Sequence, residues 1–207
     1  NVLKRIEAVR NFRLSSPSEG TRKIAEKPTR FHVENMPRGN YLLVPRVSSE
    51  NRRYNPMGFM TPNDLASDAV QIVPDASLYD FGVLTSNVHM AWMRTVAGRL
   101  KSDYRYSAKI VYNNFPWPKV TEEQREFISK TAQAILDARS LYPESTLADL
   151  YDELTMPAEL RKAHQENDIA VMKAYGMIKK VGGKDKFMTE SETVSKLFGL
   201  YEELMGE

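Results

Sequence analysis

The densest set of groups able to recognise a polar ligand lies in Pro45-Arg46-Val47-Ser48-Ser49-Glu50-Asn51-Arg52-Arg53-Tyr54. Between two predicted strands it packs three arginines, a carboxylate, hydroxyls, an amide and a phenol. A guanidinium can read guanine through two parallel hydrogen bonds, a carboxylate can accept from the cytosine amine, and an asparagine amide can bridge adenine. A loop that carries all three is a credible base-reading edge. A hairpin loop charged only for solubility has the same composition, so both readings stay open here.

A second cluster, Arg99-Leu100-Lys101-Ser102-Asp103-Tyr104-Arg105-Tyr106-Ser107-Ala108-Lys109, mixes cations with aromatic rings. Such groups suit phosphate contacts that position a duplex without reading it. Cations that complement the C-terminal dipole of a preceding helix account for the cluster equally well.

Reaction chemistry is hard to place on this chain. Binding S-adenosylmethionine calls for a glycine-rich turn after a strand, and amino methylation calls for an acidic or amide residue followed by Pro-Pro-aromatic. Neither string occurs. Asn114-Phe115-Pro116-Trp117 has the right residue types in the wrong order and reads as a structural corner. Asn55-Pro56-Met57-Gly58 reads as a turn, and no nucleophile triad, phosphate loop or convincing nuclease signature is found. His32, His89 and His164 are far apart in sequence and the chain has no cysteine, so neither a metal site nor a disulfide is expected.

The elements that must position the two clusters divide at Asn113-Asn114-Phe115-Pro116-Trp117-Pro118, where two prolines forbid an immediate helix. The expected division is residues 1–118 and residues 119–207. Before it, Tyr41–Val44 and Val70–Val73 are short apolar runs bounded by turn residues, as buried strands are. Tyr54–Met60 and Tyr106–Tyr112 read as further strands. Leu78–Leu100 is long enough for one helix, although Gly82 and Ser86 weaken its first turns and move its start towards Thr85. Leu3, Ile6 and Val9 mark a helix at the start.

After the corner the pattern is helical throughout. Thr121-Glu122-Glu123-Gln124 and Thr189-Glu190-Ser191-Glu192 are capping boxes followed by apolar stripes. Pro157 opens another helix, with Gly176 as its C′ residue. Gly182-Gly183, inside the lysine-rich stretch Lys179–Lys186, reads as a solvated turn. The expected fold class is α+β: a mixed β-sheet domain with a long helix, then an all-α helical bundle.

Composition bounds the rest. A chain of 207 residues can bury one large core or two small ones. No apolar run is long enough to span a membrane, no signal peptide is visible, and a cytoplasmic location without membrane partners is expected. The missing initiator methionine points to a piece of a longer polypeptide. The net charge of +2 hides a split: 17 Lys+Arg face 10 Asp+Glu up to Pro118, and 12 face 17 afterwards. Such asymmetry fits one half meeting a polyanion, or simply a solvated basic surface.

Longer strings carry a resemblance. Tyr41-Leu42-Leu43-Val44-Pro45-Arg46-Val47-Ser48-Ser49-Glu50, Phe81-Gly82-Val83-Leu84-Thr85-Ser86, His89-Met90-Ala91-Trp92-Met93-Arg94 and Gly98-Arg99-Leu100-Lys101-Ser102-Asp103-Tyr104-Arg105-Tyr106-Ser107 resemble the target-recognition domain of MmeI-like DNA methyltransferases. Val111-Tyr112-Asn113-Asn114-Phe115-Pro116-Trp117-Pro118 continues it. The second half resembles the helical C-terminal domain of the same family. Ala134–Arg139, Leu147–Tyr151, Met156–Leu160 and Ala163-His164 carry that likeness.

The resemblance implies a large polypeptide in which a methyltransferase domain, preceded in some members by an endonuclease, lies N-terminal to these two. That domain would bind S-adenosylmethionine and methylate adenine N6, while this chain would hold no cofactor and would choose the sequence on double-stranded DNA. Family base readers lie in the loop matching Ser48–Tyr54. The candidates for base readout are therefore Ser49, Glu50, Asn51, Arg52 and Tyr54, with Glu50 and Arg52 first. Candidate backbone contacts are Arg46, Arg53, Arg99, Lys101, Arg105 and Lys109. From a different class, a protein-interaction module packing against the methyltransferase or other subunits remains the alternative.

Overall fold

The computed structural model describes residues 1–32, 34 and 36–206. It divides into two units, Asn1–Met36 and Pro37–Glu207. In the first unit, α1 (Val2–Leu14) is the helix expected from Leu3, Ile6 and Val9, and α2 (Glu19–Lys23) begins at Ser18, whose hydroxyl accepts from the Thr21 amide. The Arg13 guanidinium closes this unit by donating to the carbonyls of Ile24, Lys27 and Arg30.

The second unit runs β1 (Tyr41–Pro45), β2 (Val47–Ser48), β3 (Gly58–Met60), β4 (Val70–Pro74), α3 (Leu78–Leu84), α4 (Asn87–Val96), β5 (Gly98–Leu100), β6 (Asp103–Arg105), a π-helical turn (Ala108–Tyr112), α5 (Glu122–Ser140), α6 (Leu147–Leu150), α7 (Ala158–Ala174), β7 (Ile178–Val181), β8 (Lys184–Phe187) and α8 (Glu190–Met205). The fold is α+β, as expected. The two anticipated strands pair with each other: β1 lies between β3 and β4, with Leu42 opposite Val73. A second sheet has the order β2-β6-β5. Every pairing among the described residues is antiparallel, so the sheets are not mixed.

Four local expectations are corrected. The segment read as one helix over Leu78–Leu100 is two helices and a strand. Ser77 caps α3 in a capping box with Asp80, and the Ser86 hydroxyl caps α4, so a competing cap breaks the helix where a continuation was expected. Tyr54–Met57 forms a buried turn, which leaves only Gly58–Met60 as strand. Tyr106–Tyr112 is no strand despite its β-branched and aromatic residues. The Asn113 amide donates to the Ala108 carbonyl at 2.8 Å, and the Trp92 indole N–H takes the Val111 carbonyl at 3.0 Å. These bonds hold a π turn, so tertiary contacts override propensity. The C-terminal part is not all-helical either, because β7 and β8 form a hairpin closed by Gly182 and Gly183 at φ +57 and +78. Two left-handed central residues suit a two-residue hairpin turn.

The capping boxes at Thr121–Gln124 and Thr189–Glu192 are present, and Gly176 follows α7 at φ +62. A continuous apolar core runs from Leu42 to Leu197. It does not stop at the Pro116–Pro118 corner, where the Tyr175 hydroxyl donates to the Pro116 carbonyl at 2.7 Å. Its centre is the α3–α5–α7 contact. A Cβ on Gly82 would meet Ile128 Cγ2 at 2.7 Å, so the glycine lets α3 lie directly on α5. Asn167 of α7 spans the same junction: its amide donates to the Gly82 carbonyl at 2.8 Å, and its oxygen accepts from the Thr131 hydroxyl at 3.0 Å. Among the described residues no helix is long and apolar enough to cross a membrane.

Candidate nucleic-acid interface

The loop Ser49–Arg53 leaves the sheet directly after β2, whose Ser48 pairs with Tyr104. Inside the loop, the Arg52 amide donates to the Ser49 carbonyl at 3.1 Å and the Asn51 amide to Ser49 Oγ at 3.3 Å, which makes a tight turn. The Glu50 amide donates to Asp103 Oδ1 at 3.3 Å. The two clusters that the sequence kept apart, 45–54 and 99–109, are thus brought side by side. Glu50 and Asn51 are exposed, and Ser49 and Arg52 are half-buried at the rim.

The far end of the loop is pinned from below. Tyr54 is 1% exposed and stacks on the His164 ring at 4.0 Å between centroids. Its hydroxyl donates to Asp168 Oδ2 at 2.8 Å. Tyr54 is therefore a core residue and not a surface base reader: a phenol with this burial has no free edge to offer a base. Asp168 takes two further bonds, from the Asn87 amide and from Asn87 Nδ2, both at 2.7 Å. One carboxylate of α7 thus fixes both the end of the loop and the start of α4, where the helix dipole favours an anion.

Burial pushes Asp168 up to about 6, against the opposing pull of the Asn87 amide, the Tyr54 hydroxyl and the nearby Arg53 and Arg94 cations. The same burial, with the Asp168 charge, raises the Tyr54 phenol well above its ordinary value. It also drives His164 well below its ordinary value, helped by Arg139 and Arg53. His164 is a neutral ring that bonds the Tyr151 hydroxyl at 2.7 Å.

Beside the loop lies a cleft of about 440 Å³, walled by Glu50–Arg53, by Asn87 and Arg94 of α4, and by Met188 and Glu190. Arg94 braces it, donating to the Arg53 carbonyl at 3.1 Å and pairing with Glu190 at 3.2 Å. This pair is partly exposed and contributes little stability by itself.

The backbone candidates do not form one patch. Arg99 lies over the Tyr104 ring at 3.9 Å and donates to the Ser102 carbonyl, while Lys101 sits exposed at the turn with φ +56. Arg105 pairs with Val47 and Gly98, so strand alternation puts it on the opposite sheet face from Arg99. Arg53 is exposed, with its guanidinium 5.6 Å from the Tyr54 ring. Lys109 is exposed on the π turn. Arg46 is half-buried, donates to the Asp68 carbonyl and accepts from the Tyr106 amide through its own carbonyl, so it already ties the two sheets.

Sequence reasoning missed Asp168, Asn87, Arg94 and His164 as parts of this site. A signal existed for two of them. His164 and Asp168 fall on the buried stripe of α7 beside Leu160 and Val171, and polar groups on an apolar stripe require partners.

A polar loop on a small sheet, backed by a helical layer, has the parts that a DNA target-recognition module needs. Residues 1–119 match the family described as the MmeI target recognition domain, and residues 120–207 match the MmeI C-terminal domain. The chain belongs to the MmeI family. It is 38% identical over 203 residues to DNA methyltransferase A of Bacillus subtilis (strain 168), covering 98% of this chain and 22% of that protein. Its fold matches the solved structure of the type IIL restriction–modification enzyme MmeI in complex with DNA, with TM-score 0.87 and 45% identity. That match covers all of this chain and 27% of the other.

Proposed function

We propose that this chain selects the DNA sequence methylated by an S-adenosylmethionine-dependent adenine-N6 methyltransferase, acting in the cytoplasm on double-stranded DNA. In this reading residues 1–118 read the duplex and residues 119–207 hold the reading loop in place. The observation that carries it is the Ser49–Arg53 loop, whose backbone is anchored at Asp103 and, through Tyr54, at Asp168, while Glu50, Asn51 and Arg52 line an open cleft. A rigid backbone under adaptable polar side chains is what direct readout requires.

Glu50 and Arg52 are the leading base readers, with Asn51 and Ser49 beside them. The cofactor would be held by a methyltransferase domain N-terminal to this chain. Gly182 and Gly183 turn an antiparallel hairpin, and Gly82 is packed against Ile128. A phosphate-cradling glycine turn would instead lie between a strand and a helix.

Methylation mapping of Glu50→Ala and Arg52→Ala in the full-length protein tests the reading. Each is expected to relax or change recognition at one base pair, with about 1–3 kcal/mol of discrimination lost. An unchanged methylated sequence in both variants would remove the loop from base readout.

A further inference from the structure

The β7–β8 hairpin has a face that its own fold does not explain. Its register sets Lys179 opposite Lys186 and Val181 opposite Lys184, so these four residues share one face. All four are exposed, Val181 at 58%. The other face carries Lys180 opposite Asp185, joined at 2.7 Å, and Ile178 opposite Phe187. Directly opposed like charges destabilise a two-stranded ribbon, and a lone hairpin is marginal to begin with. Glu192 lies within electrostatic reach of this face: its carboxyl is lowered first by the Thr189 hydrogen bonds of its capping box and then by Lys186 and Lys179. It is already committed as a cap.

The hairpin also stands beside the reading loop. Met188, whose amide extends the ribbon onto the Met177 carbonyl, and Glu190 wall the same cleft as Glu50–Arg53. From that base, four residues per strand reach about 14 Å, the length of about four base-pair steps. Flexible ammonium groups on such a ribbon fit a line of phosphates, whose charge spacing is about 1.7 Å of duplex axis. The residues from Lys119 onward carry more acid than base as a whole, so this run of lysines stands against the charge of its own half.

We propose that Lys179, Lys184 and Lys186 form a clasp on the phosphate backbone of duplex DNA, flanking the bases met by the Ser49–Arg53 loop. This rests on the reading of the chain as a DNA recognition module, and it adds a sequence-independent contact from the C-terminal half. The test is equilibrium binding of the full-length protein, across a salt series, to a duplex containing its methylated site and to one lacking it. The triple variant Lys179→Gln, Lys184→Gln, Lys186→Gln is expected to lower the slope of log affinity against log salt by about 2–3 on both duplexes, with the methylated sequence unchanged. The Lys→Arg triple variant should keep the wild-type slope, which separates lost charge from a disturbed fold. Lys180→Gln, on the ion-paired face, should leave the slope unchanged. A triple-Gln slope equal to that of salt-sensitive wild type overturns the clasp alone. If Glu50→Ala and Arg52→Ala both leave the site unchanged while the triple variant flattens both slopes, the loop reading fails and the clasp stands. Salt-insensitive wild-type binding overturns the clasp and leaves the loop reading to the methylation mapping.

Discussion

Asp168 accepts the Tyr54 hydroxyl at 2.8 Å, joining α7 to the end of the Ser49–Arg53 loop across 114 residues of chain. The same carboxylate holds both nitrogens of Asn87, so three donors converge on one buried anion. The contact is specific in a way that apolar packing is not, since each donor must find its own lone pair. It ties the helical layer to the end of the loop and to the start of α4.

Tyr54→Phe keeps the stack on His164 but withdraws one donor from Asp168. A loss of about 1–3 kcal/mol in unfolding free energy is expected, because the buried carboxylate loses a charge-assisted hydrogen bond. Urea unfolding of the 207-residue chain measures it. Asp168→Ala, which strands the Tyr54 hydroxyl and the Asn87 amide, should cost more than Tyr54→Phe, and equal or smaller loss would show that the carboxylate is not the anchor.

Stability should fall as pH drops below about 6.5. Burial pushes His89 down to about 3 and His164 well below its ordinary value, so the folded state keeps both neutral while the unfolded chain takes up protons. The stabilisation is complete above the unfolded histidine value and is lost at about 1.4 kcal/mol per pH unit for each ring as pH falls towards the folded value. Asp168 acts in the opposite sense. Its folded value, about 6, lies above its ordinary value, so its contribution is full below about 4 and disappears as pH rises through 6. Asp168→Asn should therefore steepen the loss between pH 6 and 4, read as unfolding midpoints across a pH series.

Lys101→Ala and Arg105→Ala should each reduce the salt slope of DNA binding by about one, without altering the methylated sequence. Both side chains are exposed, whereas the Arg46 guanidinium is occupied by the Asp68 carbonyl. Arg46→Ala should lower stability and leave the salt slope nearly unchanged. A slope change larger for Arg46→Ala than for Arg105→Ala would reverse this assignment.

Gly82→Ala should destabilise the chain by about 1–3 kcal/mol, since the new methyl would press Ile128 Cγ2 and approach Ala132 Cβ and Asn167 Oδ1 at 3.1 Å. In an Ile128→Ala background the same change should cost less, because the closest atom is gone. A double-mutant cycle that came out additive would show that the α3–α5 approach is not set at this point.

Much of this architecture was legible before any coordinates. The strands at Tyr41 and Val70, the capping boxes at Thr121 and Thr189, and the stop at Gly176 all rest on short-range chemistry that sequence carries openly. The failures share a cause. Val111 was drawn into a π turn by the Trp92 indole, and Tyr54 was buried by His164 and Asp168, partners at sequence distances that no local pattern reports. Ser86 differs in kind, since its hydroxyl is of the right type for a cap and local sequence does not separate a cap from a weak helical turn. The Ser49–Arg53 loop stands out by composition and resemblance, but its supports do not: Asn87 carries no motif, and Asp168 shows only as a polar residue on the buried stripe of α7.

The loop separates what is fixed from what is free. Among the described residues, the hydrogen bonds of Glu50 and Asn51 run through their backbone amides, and the Arg52 amide closes the turn on Ser49. Their side chains make no hydrogen bond among the described residues, while Tyr54, Asp103 and Asp168 keep the backbone in shape. Replacing Glu50, Asn51 or Arg52 therefore carries little folding penalty, and a lineage can try new residue combinations there at nearly constant stability. The frame can persist while the side chains it presents are exchanged.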